Sequence, residues 1–355
     1  MFFKRTICLL FSLTLLLSAC QPINLGNSAA PAPATEGDAA LPDLGTLQIA
    51  YVPILGFTPL FVAAEKGYFA EQGLQVELQR VRAVDEMLAP LSTGKLDISL
   101  MGPTTGFFNG MQQTLDFRIA AGANAIVSGG QGDPILVVSK ALADSGAVTT
   151  VADLKGRKLA INLRGSILEY LLGKGLEQAG LTLDDVELVT IPGGEMLPAL
   201  ANGAVDGAIA GGLNTQRMIA EGVAVKLLAD TDIIQGGQGG VVVVGQRLLQ
   251  PANREVTIRV LVAYLKAVHD LNDNGWDNPE VISIIQKYTE MESAIIARSA
   301  FPLFETTGAL DEASIMDIQA FQISRGYVEY TDALPVAQMT DLTFLREALA
   351  RTEQK

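Results

Sequence analysis

Cysteine, histidine and tryptophan are nearly absent from this 355-residue chain, which holds two, one and one of them. A single histidine, His269, excludes His-rich metal sites and leaves any His-based catalytic triad dependent on one residue. Both cysteines, Cys8 and Cys20, fall within the first twenty residues, so nothing downstream can form a disulfide or act as a thiol nucleophile. No apolar run reaches the roughly 18–20 residues that a bilayer-spanning helix needs. A basic excess is missing too. Lys plus Arg number 25 against 39 Asp plus Glu, a net charge of −14 with no basic cluster, which argues against a nucleic-acid partner. The Gly-x4-Gly-Lys-[Ser/Thr] phosphate loop does not occur, so ATP hydrolysis of that kind is not expected. What remains is 49% hydrophobic and 18% charged, the composition of a folded chain whose length suggests two folding units.

The start reads Met1-Phe2-Phe3-Lys4-Arg5 and continues with apolar residues from Ile7 to Ala19, the pattern of a secretory signal rather than a spanning helix. It ends in Leu17-Ser18-Ala19-Cys20, which resembles the bacterial lipobox. That resemblance implies removal of residues 1–19, lipid on Cys20 and attachment to a membrane through it. Residues 20–45 are small and polar, with four prolines between 21 and 45, and read as a flexible tether.

From Leu47 the character changes. Leu47–Val52 alternates as a strand does, and Thr58-Pro59 suggests a helix with Thr58 as N-cap, running from Leu60 to about Gln72 before Gly73. Val76–Val81 and Leu96–Met101 read as further strands, with a helix near 85–93. The order then recurs. Leu91, Gly94, Asp97 and Gly102 are spaced like Leu200, Gly203, Asp206 and Gly211, at an offset of 109 residues. Lys66-Gly67 echoes Lys174-Gly175, Gly73-Leu74 echoes Gly180-Leu181, and Val76–Leu78 echoes Val186–Leu188. Two similar α/β lobes follow, with mostly parallel sheets flanked by helices and ligand loops beyond the carboxyl ends of the strands. These are the loops near 53–58, 82–85 and 102–106 in one lobe and near 162–167, 192–196 and 210–214 in the other. Asp133–Val138 and Gly239–Val244 are expected to lie side by side as a two-strand hinge. Lobe 1 then comprises 46–134 with 245–355, and lobe 2 comprises 135–244. After 250 the pattern is helical, at 254–272, 279–289, 293–300, 311–325 and 338–351, with Asn253 and Asp311 as caps. His269 reads as a surface or packing residue.

Tyr51-Val52-Pro53, Pro59–Phe69 and Gln72–Glu77 form a string that resembles the solute-binding proteins of ABC importers for sulfonates, taurine, nitrate and thiamin-precursor pyrimidines. Ala152–Lys158, Gly165–Leu172, Leu181–Glu187 and Ala199–Asp206 extend it over about 47–250. The resemblance implies a two-lobed periplasmic-binding-protein fold of type II, with the C-terminal helices on lobe 1. The residues themselves suit a small-molecule site. Ser166 and Glu169 form a capping box at a helix start, whose amides and partial positive charge favour an anionic group. Arg164 and Gly165 precede it, and Arg164 could grip the same anion. Gly102, Thr104 and Thr105 offer open backbone and hydroxyls at another helix start, and Thr58 does so at a third. Gly193, Gly194, Gly211 and Gly212 allow close approach, Asn214 supplies an amide, and Phe57 could cover an apolar part. Glu195 and Asp133 near the cleft would prefer an amine or a hydroxyl. Gly211-Gly212-Leu213 replaces the aromatic-x-Pro turn of many relatives, removing a stacking surface.

The resemblance thus implies a lipid-anchored extracytoplasmic subunit, monomeric and without cofactor or metal. It would capture a small polar, anionic, sulfonate-like solute and deliver it to a permease with separate ATPase subunits. Binding of a pyrimidine thiamin precursor, a pyrimidine-forming enzyme on the same fold, and a sensor presenting its ligand to a membrane kinase are the alternatives.

Overall fold

The computed structural model describes residues 42–113, 116–128 and 132–352; the signal, Cys20 and nearly all of the tether lie outside the described residues. Among the described residues the strands are β1 (Leu47–Tyr51), β2 (Val76–Arg80), β3 (Ile98–Met101), β4 (Phe117–Gly122), β5 (Asn124–Ser128), β6 (Pro134–Ser139), β7 (Lys158–Ile161), β8 (Glu187–Thr190), β9 (Gly207–Ile209), β10 (Ala224–Ala229), β11 (Val241–Gly245) and β12 (Pro302–Phe304). They form two five-stranded sheets, β2-β1-β3-β11-β4 and β8-β7-β9-β6-β10, and a small β12-β5 pair. Helices flank the sheets, so the mixed α/β class is as expected, but each sheet joins a parallel core to antiparallel strands at β11 and β6.

The two sheets repeat one design, and the echoed residues show why. Gly94 and Gly203 end a helix in the left-handed region, at φ 70° and 75°, where a side chain would be strained. Three residues on, Asp97 and Asp206 face equivalent strands, β1 and β7. Asp97 Oδ2 accepts the Gln48 amide at 2.7 Å, and Asp206 Oδ2 accepts the Lys158 amide at 2.8 Å. In the first sheet the fully buried Asp97 is further held by Arg247, whose Nε donates to Oδ1 at 2.6 Å. Lys174-Gly175 is an echo without structural meaning, because Gly175 lies inside the helix Ile167–Gln178 while Gly67 turns the chain at φ 76°.

The expected hinge is not made by the two apolar runs. Val241–Val244 is fully buried and sits between β3 and β4 in the first sheet, whereas β6 lies between β10 and β9 in the second. A β-branched run buried on both faces is the mark of a central strand, and each run serves its own sheet. Val241–Gly245 therefore belongs with the first sheet, not with the 135–244 lobe. The chain crosses between the sheets before β6 and again between β10 and β11. These crossings touch: the Asp133 amide donates to Asp230 Oδ1 at 2.9 Å, the Asp230 amide donates to the Asp133 carbonyl at 3.0 Å, and the Gly239 amide donates to the Asn124 carbonyl at 2.8 Å.

Thr58 lies inside its helix, Thr58–Glu65, and its hydroxyl donates to the Leu55 carbonyl at 2.7 Å instead of capping. The expected longer helix is broken by left-handed Gly67 and resumes at Tyr68–Glu71. Asp311 caps Glu312–Ser324 through the Ser314 amide, while Asn253 uses its side chain on the Arg247 carbonyl. The helix at 293–300 shrinks to Ser293–Ile296, and 338–351 divides into Val336–Met339 and Thr343–Thr352.

One C-terminal helix departs from the implied arrangement. Glu312–Ser324 packs on the second lobe, where the Tyr170 and Phe321 rings meet edge to face at 5.6 Å and the Tyr170 hydroxyl donates to Asp317 Oδ2 at 2.5 Å. The chain then returns to the first lobe, where the Glu329 amide donates to Asn109 Oδ1 at 2.9 Å and Thr340 bridges to β4 at Ile119. This segment straps the two lobes together.

Candidate functional site

A cavity of about 250 Å³ lies between the lobes. Its walls come from the carboxyl ends of equivalent strands. Residues 54–57 follow β1 and 102–104 follow β3; 162–168 follow β7 and 211–214 follow β9. Asn124, Asp133 and the Gly239-Gly240 pair add the floor beside the crossings, and Pro302 adds part of the rim. The sheet repeat thus sets two copies of the same loops against each other, as expected for ligands at strand ends.

Phe57, Gly102, Thr104, Ser166, Gly211 and Asn214 of the expected site residues are brought to this cavity, along with Gly212. Thr58, Thr105, Arg164, Gly165 and Gly194 do not line it, and neither do Arg82, Gly193 and Glu195. Phe107 is core, edge to face with Phe108 at 5.5 Å. Arg164 is engaged elsewhere. Its Nε lies 3.0 Å from Glu169 Oε1, and one of its terminal nitrogens donates to the Tyr327 hydroxyl at 2.8 Å. The buried Glu169 carboxylate also accepts the Gly165 amide at 2.5 Å and the Tyr327 hydroxyl at 2.8 Å. The capping box is therefore displaced by one residue: Ser166 Oγ accepts the Glu169 amide at 3.4 Å, but the return bond goes to Gly165 rather than Ser166.

Thr105 and Gly165 instead bridge the lobes. The Thr105 amide donates to the Gly165 carbonyl at 3.1 Å, Gln322 Nε2 donates to the same carbonyl at 2.8 Å, and the Thr105 hydroxyl donates to Gln322 Oε1 at 2.7 Å. Gln322 belongs to the strap helix and is fully buried. Gly165 has φ +68°, and a Cβ there would stand 1.8 Å from Thr105 Oγ1, so only glycine permits this contact.

The lining is mostly apolar, from Ile54, Leu55, Val84, Met101, Leu163 and their neighbours, with the side-chain amides of Asn124, Asn162 and Asn214 and the hydroxyl residues Thr104 and Ser166 as uncharged polar exceptions. First-turn amides of a helix have no intrahelical partner, and those of Ile167, Leu168, Gly212 and Leu213 belong to residues on the wall. Asp133 is the single charged side chain of the lining. It is 7% exposed, its Oδ1 has no hydrogen-bond partner, and its carboxyl packs on the Gly212 backbone so tightly that a Cβ there would overlap it. Burial and then the neighbouring Asp230 push its pKa up to about 7, against weaker opposing pulls from the Ala300 amide and Gln216.

Asn124, Asn162, Leu163 and Pro302 escaped sequence reasoning as individual residues. Asn162 and Leu163 sit in a loop expected at the site, but nothing marked them within it. Asn124 and Pro302 come from the β5–β12 pair, whose strands lie far apart in the sequence and carry no local signal.

The profile of the NMT1-like family matches residues 41–286. The nitrate import ATP-binding protein NrtC of Synechococcus elongatus is 29% identical over 260 residues, 70% of this chain and 38% of that protein. The bicarbonate-binding protein CmpA of the same species is 26% identical over 46% of this chain and 40% of its own length. The chain thus spans well under half of these two relatives. The riboflavin-binding protein RibY of Chloroflexus aurantiacus is 26% identical over 75% of this chain and 74% of its own length. Among solved structures, the alkanesulfonate-binding protein SsuA of Xanthomonas axonopodis pv. citri, bound to MOPS, superposes with a TM-score of 0.64 at 19% identity, covering 87% of this chain and 99% of that one. The periplasmic nitrate-binding protein NrtA of Synechocystis PCC 6803 gives 0.68 at 15% identity, covering 89% and 91%. The desulfurization enzyme DSZB gives 0.63 at 17% identity, covering 86% and 99%. At such identities the structural likeness is one of fold, and most of these neighbours are transport binding proteins. With its profile matched from residue 41 to residue 286, the chain belongs to the NMT1-like family.

Proposed function

We propose that this protein is the solute-binding component of an ABC-type importer, anchored outside the cytoplasm by lipid on Cys20, acting as a monomer and performing no chemistry. One observation carries the reading: a cavity walled by equivalent strand-end loops of two repeated lobes, with hydrogen bonds from Thr105 and Gln322 to Gly165 bridging them. In the open form those bonds are broken and the cavity is reachable from solvent. A solute touching both lobes favours the closed form by its extra contacts. The closed form then docks on a permease driven by separate ATPase subunits, a reading supported by the nitrate import and bicarbonate transport ATP-binding relatives.

The enzyme alternative draws on a solved neighbour, the desulfurization enzyme DSZB. Among the described residues there is no cysteine, and His269 lies exposed on the helix Arg254–Asn274, far from the strand-end loops in sequence and absent from the cavity wall. A thermal-shift screen of sulfonates, nitrate, bicarbonate, pyrimidines and flavins tests the binding reading. A solute at about 100 times its dissociation constant adds about 2.7 kcal/mol of stability and is recovered unaltered. Recovery of a chemically changed solute would overturn it.

A further inference from the structure

The strap touches both lobes through a very short stretch of chain. The Tyr327 hydroxyl donates to Glu169 Oε1 of the second lobe at 2.8 Å, and the Glu329 amide donates to Asn109 Oδ1 of the first lobe at 2.9 Å. Two residues of chain span at most about 7 Å, so the lobes cannot part at this edge with both bonds intact. Earlier in the strap, Gln322 also bonds to both lobes at once, donating to the Gly165 carbonyl at 2.8 Å and accepting from the Thr105 hydroxyl at 2.7 Å. Opening must therefore free the strap from one lobe or the other.

The contacts decide which. On the second lobe Phe321 meets the Tyr170 ring and stands 3.4 Å from where a Cβ on Gly173 would be. Asp317 accepts the Tyr170 hydroxyl at 2.5 Å and lies 3.4 Å from Lys174 Nζ, and Arg325 pairs with Asp184 at 2.9 Å. Against the first lobe stand the Thr105 and Asn109 hydrogen bonds and a surface bond from Gln113 Nε2 to Glu329 Oε2 at 3.2 Å. An aromatic pair with two ion pairs and a hydroxyl–carboxylate bond outlasts a few hydrogen bonds that water can replace.

The strap also moves as one piece. The buried Gln319 accepts the Leu334 amide at 2.6 Å and the Tyr330 hydroxyl at 3.2 Å, and its Nε2 donates to the Leu334 carbonyl at 3.1 Å, so the return segment to Leu334 travels with the helix. The other end of the strap lies at the crossing between β10 and β11. There Gln238 Oε1 accepts the Asp311 amide at 2.9 Å, and the Gln238 amide donates to Ser314 Oγ at 2.8 Å. A point beside the crossings moves least when the lobes swing.

We propose that Glu312–Leu334 rides with the second lobe, pivots at Gln238, and carries at Glu329 a catch that closes on Asn109 of the first lobe each time the cleft shuts. This rests on the reading that the lobes open and close, and extends it. Asn109, Gln322 and Glu329 are absent from the cavity wall, so the lifetime of the closed form is set partly by residues that touch no solute.

Residue-resolved amide hydrogen exchange on the full-length protein, with no solute added, tests this. The Thr105 amide, bonded to the Gly165 carbonyl across the mouth, reports the opening of the lobes. The Glu329 amide reports the catch, and the Tyr327 amide, bonded to the Gln322 carbonyl, reports the strap's own fold. Thr105 and Glu329 are expected to show matching protection and to exchange well ahead of Tyr327. Asn109→Ala is expected to speed Thr105 exchange about two- to tenfold, the worth of one hydrogen bond. Tyr327→Phe is expected to lower the melting temperature and leave Thr105 exchange unchanged, because its bond to Glu169 persists in the open form. A Thr105 amide that exchanges well ahead of Glu329, that is unaffected by Asn109→Ala, or that quickens in Tyr327→Phe would overturn the proposal while leaving the opening of the lobes intact. A Thr105 amide as slow as the core amides of β11 would mean that the lobes do not open, ending both the proposal and the solute-capture reading. The comparison of amides in the parent protein stands should either variant fail to fold.

Discussion

Replacing Asp133 by Asn should stabilise the protein, and increasingly so as pH rises. The carboxyl is buried beside Asp230, with one oxygen lacking a partner, and its pKa is raised from 3.8 to about 7. The folded state thus holds this proton more tightly than the unfolded chain. The associated stability is fully present below pH 4 and is lost as pH climbs to and past 7. About three units at about 1.4 kcal/mol each make the loss on the order of 4 kcal/mol at pH 8 as an upper bound. Asn has nearly the same shape, fits against Gly212 as Asp does, and carries no charge to desolvate. The gap in melting temperature between variant and parent should be small at pH 5 and grow by several degrees at pH 8, given about 2–4 °C per kcal/mol in domains of 150–250 residues. Differential scanning calorimetry across pH 5–8.5 measures it. A variant equal to or less stable than the parent at pH 8 would refute the reasoning, because the buried carboxylate would then be satisfied rather than strained.

Other consequences follow from the lobe contacts and the core. Gly165→Ala places a Cβ 1.8 Å from Thr105 Oγ1 and forces a φ of +68° on alanine. With the Thr105 and Gln322 bonds to Gly165 lost at about 0.5–1.5 kcal/mol each, the variant should bind any cleft solute about five- to a hundredfold more weakly while melting within a few degrees of the parent, as titration and calorimetry would show. Arg247→Ala leaves the fully buried Asp97 without its cation and should cost about 3–5 kcal/mol, read from urea unfolding. Arg157→Ala, beside the equivalent aspartate of the second sheet but 4.0 Å from the partly exposed Asp206, should cost under about 1 kcal/mol.

Much of the architecture was legible because its signals are local. Gly94 and Gly203 with Asp97 and Asp206 announce a helix stop followed by a strand, and their repetition announced two lobes. The family resemblance drawn from Tyr51–Glu77 is borne out by the profile match over 41–286. What failed depends on distant pairing. Nothing within Val241–Val244 says which sheet will claim it, and the two buried runs lie in different sheets, while the contact between the crossings comes from Asp133, Asp230, Asn124 and Gly239. Arg164 looked free because its partners Glu169 and Tyr327 include one 163 residues away. The strap helix looked like any other until Phe321 and Gln322 met Tyr170 and Gly165. Asp133 stood out only as an acid near a cleft. That one of its carboxyl oxygens lacks a partner and that it packs on a helix start are visible only in three dimensions.

The central claim is that a solute lies between the two lobes and draws them shut. The folded body has no cysteine beyond Cys20, so dyes can be placed on cysteines introduced at exposed Lys95 and Lys226, one on each lobe. Energy transfer between them, followed through the same solute screen used for thermal shift, tests the claim directly. Every solute that raises the melting temperature should shift the transfer efficiency to one common closed value, and Gly165→Ala should not reach it. A stabilising solute that leaves the efficiency of the parent protein unchanged would contradict the account.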